Sequence, residues 1–245
     1  TKYINSKGAI ALENYNYISE NIKEIRANID EAAVRSGRDP KDVLLLAVSK
    51  TVDVPRIKAA VDCGLNELGE NRVQEIMEKY EPMGDGVKWH LIGHLQTNKV
   101  KYIIDKVKLI HSVESLKLAE EINKQAQKHN LTADVLVEVN MAKEESKFGI
   151  APEDTEKFIK ELANFGNIRV RGLMTVAPDV ENGEENRVYF RNMRQLLVDI
   201  NAKKINNINM DILSMGMTGD YITAVEEGAT IVRVGTGIFG KRNYN

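Results

Sequence analysis

The apolar positions of this chain recur with two different periods. Ile18, Ile22, Ile25, Ile29 and Ala32 are spaced alternately by four and three residues, which predicts a helix over residues 14 to 36 with Gly37 as its stop. Short apolar runs then alternate with further helical faces. The runs predict eight strands, at Val43–Ser49, Leu65–Gly69, Trp89–Gly93, Val107–Val113, Ala133–Met141, Ile168–Ala177, Met210–Met215 and Thr230–Gly235. Between them lie faces such as Ile57, Ala60 and Val61, or Leu116, Ala119, Ile122 and Ala126, and after the sixth run Phe190, Met193, Leu196, Leu197 and Ile200. Asp53 and Pro55 suit a helix start, and Pro152 opens another.

The first run, Leu44-Leu45-Leu46-Ala47-Val48, is apolar without alternation, as in a parallel strand buried on both faces. Regular strand–helix alternation implies parallel strands joined by helical crossovers. Eight such units in 245 residues favour an α/β fold, a single (β/α)8 TIM barrel over residues 1–245 with an extra N-terminal helix that covers the closed end. An open doubly wound sheet is the alternative.

Composition narrows the class. Lys+Arg 34 against Asp+Glu 36 leaves a formal charge of -2, which argues against a general nucleic-acid or membrane-surface binder. The single cysteine, Cys63, rules out an internal disulfide framework and fits a reducing cytosol. It sits on a predicted helix with no His or cation beside it, and reads as a small core residue. Ala9 to Leu12 is too short for a signal core, and no run approaches the roughly 18 apolar residues of a membrane span. The expectation is a soluble cytoplasmic protein.

In a barrel of this type the site lies at the carboxyl ends of the strands. Lys50 ends the first. A lysine there either points into water or, desolvated, offers an amine that attacks a carbonyl. Glu70-Asn71-Arg72, His90 and His94, His111 to Glu114, Glu138 and Asn140, and Met174-Thr175 stand at the next five. The loops after strands seven and eight are the recurrent phosphate site of the fold. Here they offer Ser214 and Gly235-Thr236-Gly237, glycines for close approach and hydroxyls to donate, with a short helix beginning at Ile238; the alternative is a plain tight turn. Arg233 interrupts an apolar strand and shares a face with Ile231 and Gly235, either binding a ligand or pairing inside the barrel, for example with Glu138. His90 and His94 have the spacing of a helical metal pair but lie on a strand and beyond it, so no metal site is expected. Lys99, Lys101, Lys106 and Lys108 read as a solvated face without interleaved aromatics. No Gly-x-Ser-x-Gly elbow and no P-loop occurs. A reactive lysine opposite a phosphate cup suits a phosphorylated aldehyde or sugar, as in a Schiff-base aldolase, or pyridoxal 5'-phosphate (PLP).

Longer motifs separate these classes. Ala47-Val48-Ser49-Lys50, Gly69 to Glu75, His90 to Lys99, Arg171-Gly172-Leu173-Met174, Leu213 to Met217 and Val232 to Gly240, in this order, closely match one family. From about Tyr15 to Gly240 the chain resembles the pyridoxal phosphate homeostasis proteins, whose barrel is like the N-terminal domain of bacterial alanine racemase. Thr218 stands where that family usually has serine and Gly237 where alanine is common. The resemblance implies that Lys50 carries PLP as an internal aldimine. Ser214, Gly235 and Thr236 would hold the phosphate, Met215 would line the cup, Arg233 would face the pyridine nitrogen and Asn71 would sit near the ring. A donor-only arginine at that nitrogen keeps it unprotonated and restrains carbanion chemistry. The implied function is a carrier or regulator of intracellular PLP, a vitamin B6 cofactor, with no catalytic residue and little or no turnover. Apo PLP-dependent enzymes are possible recipients. The alternative is a weak PLP-dependent amino-acid racemase, which needs a second acid/base opposite Lys50. Without a racemase's second domain, a monomer is expected.

Overall fold

A computed structural model describes the backbone of residues 2–4, 10–12 and 15–241, and the side chains of residues 15–241. A two-stranded antiparallel pair, β1 (Lys2–Ile4) and β2 (Ile10–Leu12), comes first and was not foreseen from the pattern. Helix α1 (Asn16–Arg35) buries the expected stripe, Ile18, Ile22, Ile25, Ile29 and Ala32, and Gly37 follows it at φ +73°.

The remaining elements run in strict alternation. They are β3 (Leu44–Val48), α2 (Val54–Asp62), β4 (Glu67–Glu70), α3 (Val73–Met83), β5 (Lys88–Leu91), a 3-10 segment (Thr97–Tyr102), β6 (Val107–Val113), α4 (Leu116–Lys128), β7 (Ala133–Glu138), α5 (Thr155–Leu162), β8 (Ile168–Met174), α6 (Arg187–Ala202), β9 (Ile212–Ser214), α7 (Tyr221–Glu226), β10 (Ile231–Val234) and α8 (Thr236–Phe239). The eight strands from β3 to β10 are parallel and close on themselves. Leu44 to Ala47 of β3 register with Ile231 to Val234 of β10, which eliminates the open sheet. Asp53 caps α2 through the amide of Arg56, with Pro55 in its first turn, as the sequence predicts.

Side chains alternate across the strands and sort into two layers. Leu46, Leu109, Leu136, Met174 and Ile231 fill the barrel interior, while Leu45, Ala47, Ile110, Val135, Leu213 and Val232 face the helices. The inner layer is not wholly apolar. Glu67, His90, His111, Glu138, Ser214 and Arg233 are buried as well.

α1 does not lie across the closed end. It packs along α7 and α8 on one side and α2 on the other. Asn21 donates to the Ile238 carbonyl, Asn28 to the Tyr221 hydroxyl and Arg35 to Glu226, so contacts run the helix's length. The last barrel helix, α8, has only four residues, and α1 supplies the apolar cover that α8 is too short to give. Cys63 also departs from expectation. It is the C-cap of α2 and is exposed, because the helix ends on it after burying Ile57 and Ala60. Among the described residues no helix is long and apolar enough to cross a membrane.

Candidate functional site

At the carboxyl ends of the strands a cavity of about 640 Å³ is lined by Val48, Lys50, Asn71, Ile92, Val176, Asp179, Met217, Thr218, Gly219, Arg233, Gly235 and Thr236. A larger groove, about 1070 Å³, lies beside it over α2 and α3. It shares Asn71 but reaches neither Lys50 nor Arg233, so the smaller cavity holds the residues of chemical interest.

Lys50 stands two residues beyond β3, half-buried, in a tight turn whose next residue, Thr51, has φ +62°. A β-branched residue in the left-handed region is strained and needs its surroundings to hold it. α3 does so. Thr51 N–H donates to Glu75 Oε2 at 2.7 Å, and Lys79 Nζ donates to the Ser49 carbonyl at 2.8 Å, so both neighbours of Lys50 are tied to one helix. Lys79 also binds Glu70 Oε1 at 2.8 Å and Glu75 Oε2 at 3.0 Å, and Ser49 Oγ donates to Glu70 Oε1 at 2.7 Å. Burial pushes the Glu70 carboxyl up against the pull of Lys79 and Ser49.

Asn71 is set by a close approach. A Cβ on Gly93 would lie 2.5 Å from the Asn71 carbonyl oxygen, so only glycine lets the two loops meet here. On the opposite wall, Gly216 turns the chain after β9 at φ +90°, and a Cβ there would lie 2.5 Å from that of Ala224. This turn brings Met217 and Thr218 to the mouth. Asp220 fastens it, accepting from the Met217 amide and from Asn186 Nδ2, while Asn186 also donates to the Pro178 carbonyl. Thr218 Oγ1 lies 3.2 Å from Thr236 Oγ1 and accepts from the Gly237 amide at 3.3 Å. Two exposed hydroxyls therefore sit together over Gly235.

Arg233 lies at the cavity floor with 4 % of its surface exposed. Its Nη1 donates to Ser214 Oγ at 2.7 Å and its Nη2 to the Thr175 carbonyl at 2.8 Å. Burial lowers it to about 10, against the pull of Glu138 and Asp220. Glu138 forms no ion pair with it within 4.0 Å. Burial, with help from Glu114, raises Glu138 to about 7, opposed by Arg233.

The cavity thus gathers Lys50, Asn71, Arg233, Gly235 and Thr236. Two residues expected in the phosphate cup stand elsewhere. Ser214 is fully buried inside the barrel, its hydroxyl held between Arg233 and His111. Met215 points the opposite way, into the layer between sheet and helices. Successive residues of a strand face opposite sides, and neither face of β9 is the mouth. Met217 and Thr218, beyond the Gly216 turn, line the cavity instead.

The histidine pair also separates. His90 is buried inside the barrel, whereas His94 stacks on Phe148 at 4.2 Å and pairs with Glu114 at 2.8 Å. No group of three or more His, Cys, Asp or Glu side chains converges as a metal site among the described residues. The lysine cluster disperses: Lys99 and Lys101 lie over Tyr102, Lys106 pairs with Asp105, and Lys108 with Glu67.

Comparison with known proteins places this geometry in a family. Residues 21–243 match the family model described as alanine racemase, N-terminal domain. The pyridoxal phosphate homeostasis protein of Aquifex aeolicus (strain VF5) is 46% identical over 226 residues, covering 92% of this chain and 98% of that protein. The protein of the same name from Escherichia coli (strain K12) is 36% identical over 235 residues, covering 94% and 99%. Among solved structures, PipY of Synechococcus elongatus PCC7942 with PLP bound aligns with a TM-score of 0.78 at 32% identity, covering 91% of this chain and all of that one, 100%.

Proposed function

This chain belongs to the pyridoxal phosphate homeostasis proteins, and on that premise we propose that it holds PLP covalently through Lys50 as a carrier or regulator of the intracellular pool, with little or no turnover. The observation that carries this reading is the lining of the mouth cavity. A lysine amine, a cation that only donates, and a pair of hydroxyls face one space of about 640 Å³. These groups complement an aldehyde, a ring nitrogen acceptor and a phosphate in one molecule.

In this arrangement Thr218, Thr236 and the backbone at Gly235 hold the phosphate, in place of the Ser214 hydroxyl and Met215. Asn71 borders the ring and Arg233 meets its nitrogen. PLP, when bound, supplies electron withdrawal from a carbon attached to its linked nitrogen. Arg233 limits that withdrawal, because a guanidinium donates a hydrogen bond without giving up its proton.

Racemisation needs a second acid/base across from Lys50. Tyr102 is exposed on the 3-10 segment, the Tyr221 hydroxyl is taken by Asn28, and Tyr189 lies on α6; none of the three lines the cavity. Asp179 stands exposed at the rim.

Two measurements test the reading. Borohydride reduction of PLP-loaded protein followed by peptide mapping is expected to place the pyridoxyl label on Lys50; a label on another lysine overturns the assignment. Cα deuterium exchange across a panel of amino acids is expected to stay near the rate of free PLP. Fast exchange that disappears in Asp179→Asn would establish the racemase reading instead.

A further inference from the structure

The polar residues of the barrel interior are not scattered. Starting at Arg233, Nη1 donates to Ser214 Oγ at 2.7 Å, and Ser214 Oγ lies 3.0 Å from His111 Nδ1. His111 Nε2 lies 2.9 Å from His90 Nδ1, and His90 Nε2 lies 2.8 Å from Glu67 Oε2. Glu67 is held in turn by Lys108 at 2.7 Å and Lys88 at 3.4 Å. The series crosses from β10 and β9 to β6, β5 and β4. His90 and Lys108 line a separate cavity of about 450 Å³ at the opposite mouth of the barrel, together with Arg38 and Asp211.

The two ends fix every proton between them. Arginine can only donate and an ionised carboxylate can only accept. His90 Nε2 therefore carries a proton for Glu67. With a neutral ring, His90 Nδ1 accepts from His111 Nε2, His111 Nδ1 accepts from the Ser214 hydroxyl, and Ser214 accepts from Arg233. A charged His90 would reverse this order. It would make His111 Nδ1 a donor to Ser214 and leave the Ser214 hydroxyl proton, fully buried, with no acceptor. Only the one-way order, Arg233 to Ser214 to His111 to His90 to Glu67, satisfies each group.

We propose that this through-barrel chain is a positioning device for Arg233, and that Ser214, His111, His90 and Glu67 are its positioning residues. It rests on the reading that Arg233 faces the cofactor ring. An arginine has long side-chain freedom to lose, and one already immobilised loses less on binding. The chain and the Thr175 carbonyl grip the two Nη atoms from the barrel side, which leaves the remaining N–H groups of the fork for the cavity. Hydrogen bonds aligned head to tail polarise one another, so the grip depends on links far from the mouth. The chain carries no proton to the ring nitrogen, since the member at the cavity is a guanidinium and the chain donates away from it.

The test begins without cofactor. In nitrogen-15 spectra of the ligand-free protein at neutral pH, His90 and His111 are each expected as a single tautomer with the proton on Nε2, and the Arg233 Nη–H signals are expected to be resolved by restricted rotation. Ser214→Ala is expected to broaden the Arg233 signals and mix the His111 tautomers, and Ser214→Thr to restore both. His90→Phe, at the far end, is expected to broaden Arg233 without touching the cavity. The loaded protein is expected to bind PLP about tenfold more weakly in Ser214→Ala, the cost of immobilising one freed side chain, with its visible band shifted. A charged histidine pair, the reverse tautomers, or Arg233 signals indifferent to Ser214→Ala overturns the chain. If the spectra behave as expected and PLP affinity does not change, the chain stands and the placement of Arg233 against the ring fails.

Discussion

Lys79→Met is expected to lower folding stability by about 3–5 kcal/mol, the cost of breaking one side of a buried ion pair. Methionine keeps the length and apolar stem of Lys79, so the loss is of charge and hydrogen bonds. Lys79 binds the Ser49 carbonyl, Glu70 and Glu75. Glu70 is fully buried, and its Oε2 already lacks a partner. Without Lys79 only Ser49 is left to it. The folded-state pKa of Glu70 already lies above its ordinary value through burial, and removing Lys79 raises it further. A raised acid destabilises the fold as pH climbs above its unfolded pKa, and does not below it. The loss is therefore expected to be larger at pH 8 than at pH 5. Lys79→Met with Glu70→Gln is expected to recover much of it. Urea unfolding of the three proteins at both pH values measures this; equal losses at pH 5 and 8 would refute the charge argument.

Lys50→Ala is expected to remove most of the stabilisation that PLP confers. A ligand present at 100 times its Kd adds about 2.7 kcal/mol to the folded state. For a chain of this size that is a rise in Tm of roughly 5–10 °C. The variant at the same PLP concentration is expected to gain less than about a third of this and to stay colourless. Inorganic phosphate separates the tether from the cup. On the proposed reading it binds through Thr218 and Thr236, which the substitution leaves alone, so its small stabilisation is expected to match in both proteins. Equal PLP-induced shifts in variant and parent would show that Lys50 is not the tether.

Much of the barrel was legible because each strand falls in a short run rich in apolar residues between helical stretches. All eight lie where the runs are, and β6 spans the expected residues, Val107–Val113. Others are shorter than their runs. Val139 and Val176 are apolar, yet β7 ends at Glu138 and β8 at Met174; beyond these ends Val139 still donates to the Met174 carbonyl at 2.8 Å and bridges Ile150, outside the barrel strands. That Lys50, Asn71, Arg233, Gly235 and Thr236 border one cavity was legible from their places at strand ends. Ser214 and Met215 were misplaced although the signal was present. Alternation from Ile212 puts Ser214 inside the barrel and Met215 outside, the same rule that oriented Arg233. The His90–His111 contact had no local signal. It depends on how β5 and β6 are staggered, with His90 in register with Leu109 and a shift between Trp89 and His90. Cys63 was misjudged because its exposure depends on the residue at which α2 stops.

Closure has a consequence for synthesis. β3 finds its second neighbour only in β10, and the mouth cavity joins Lys50 to Arg233, Gly235 and Thr236. A ribosome makes these two halves almost a whole barrel apart in time. During that interval β3 has an open edge, and the lysine has no floor beside it. Contacts so distant in sequence form late in folding. The cofactor is thus expected to be captured only once β10 has been made and has joined β3, by a closed barrel and not by an open one.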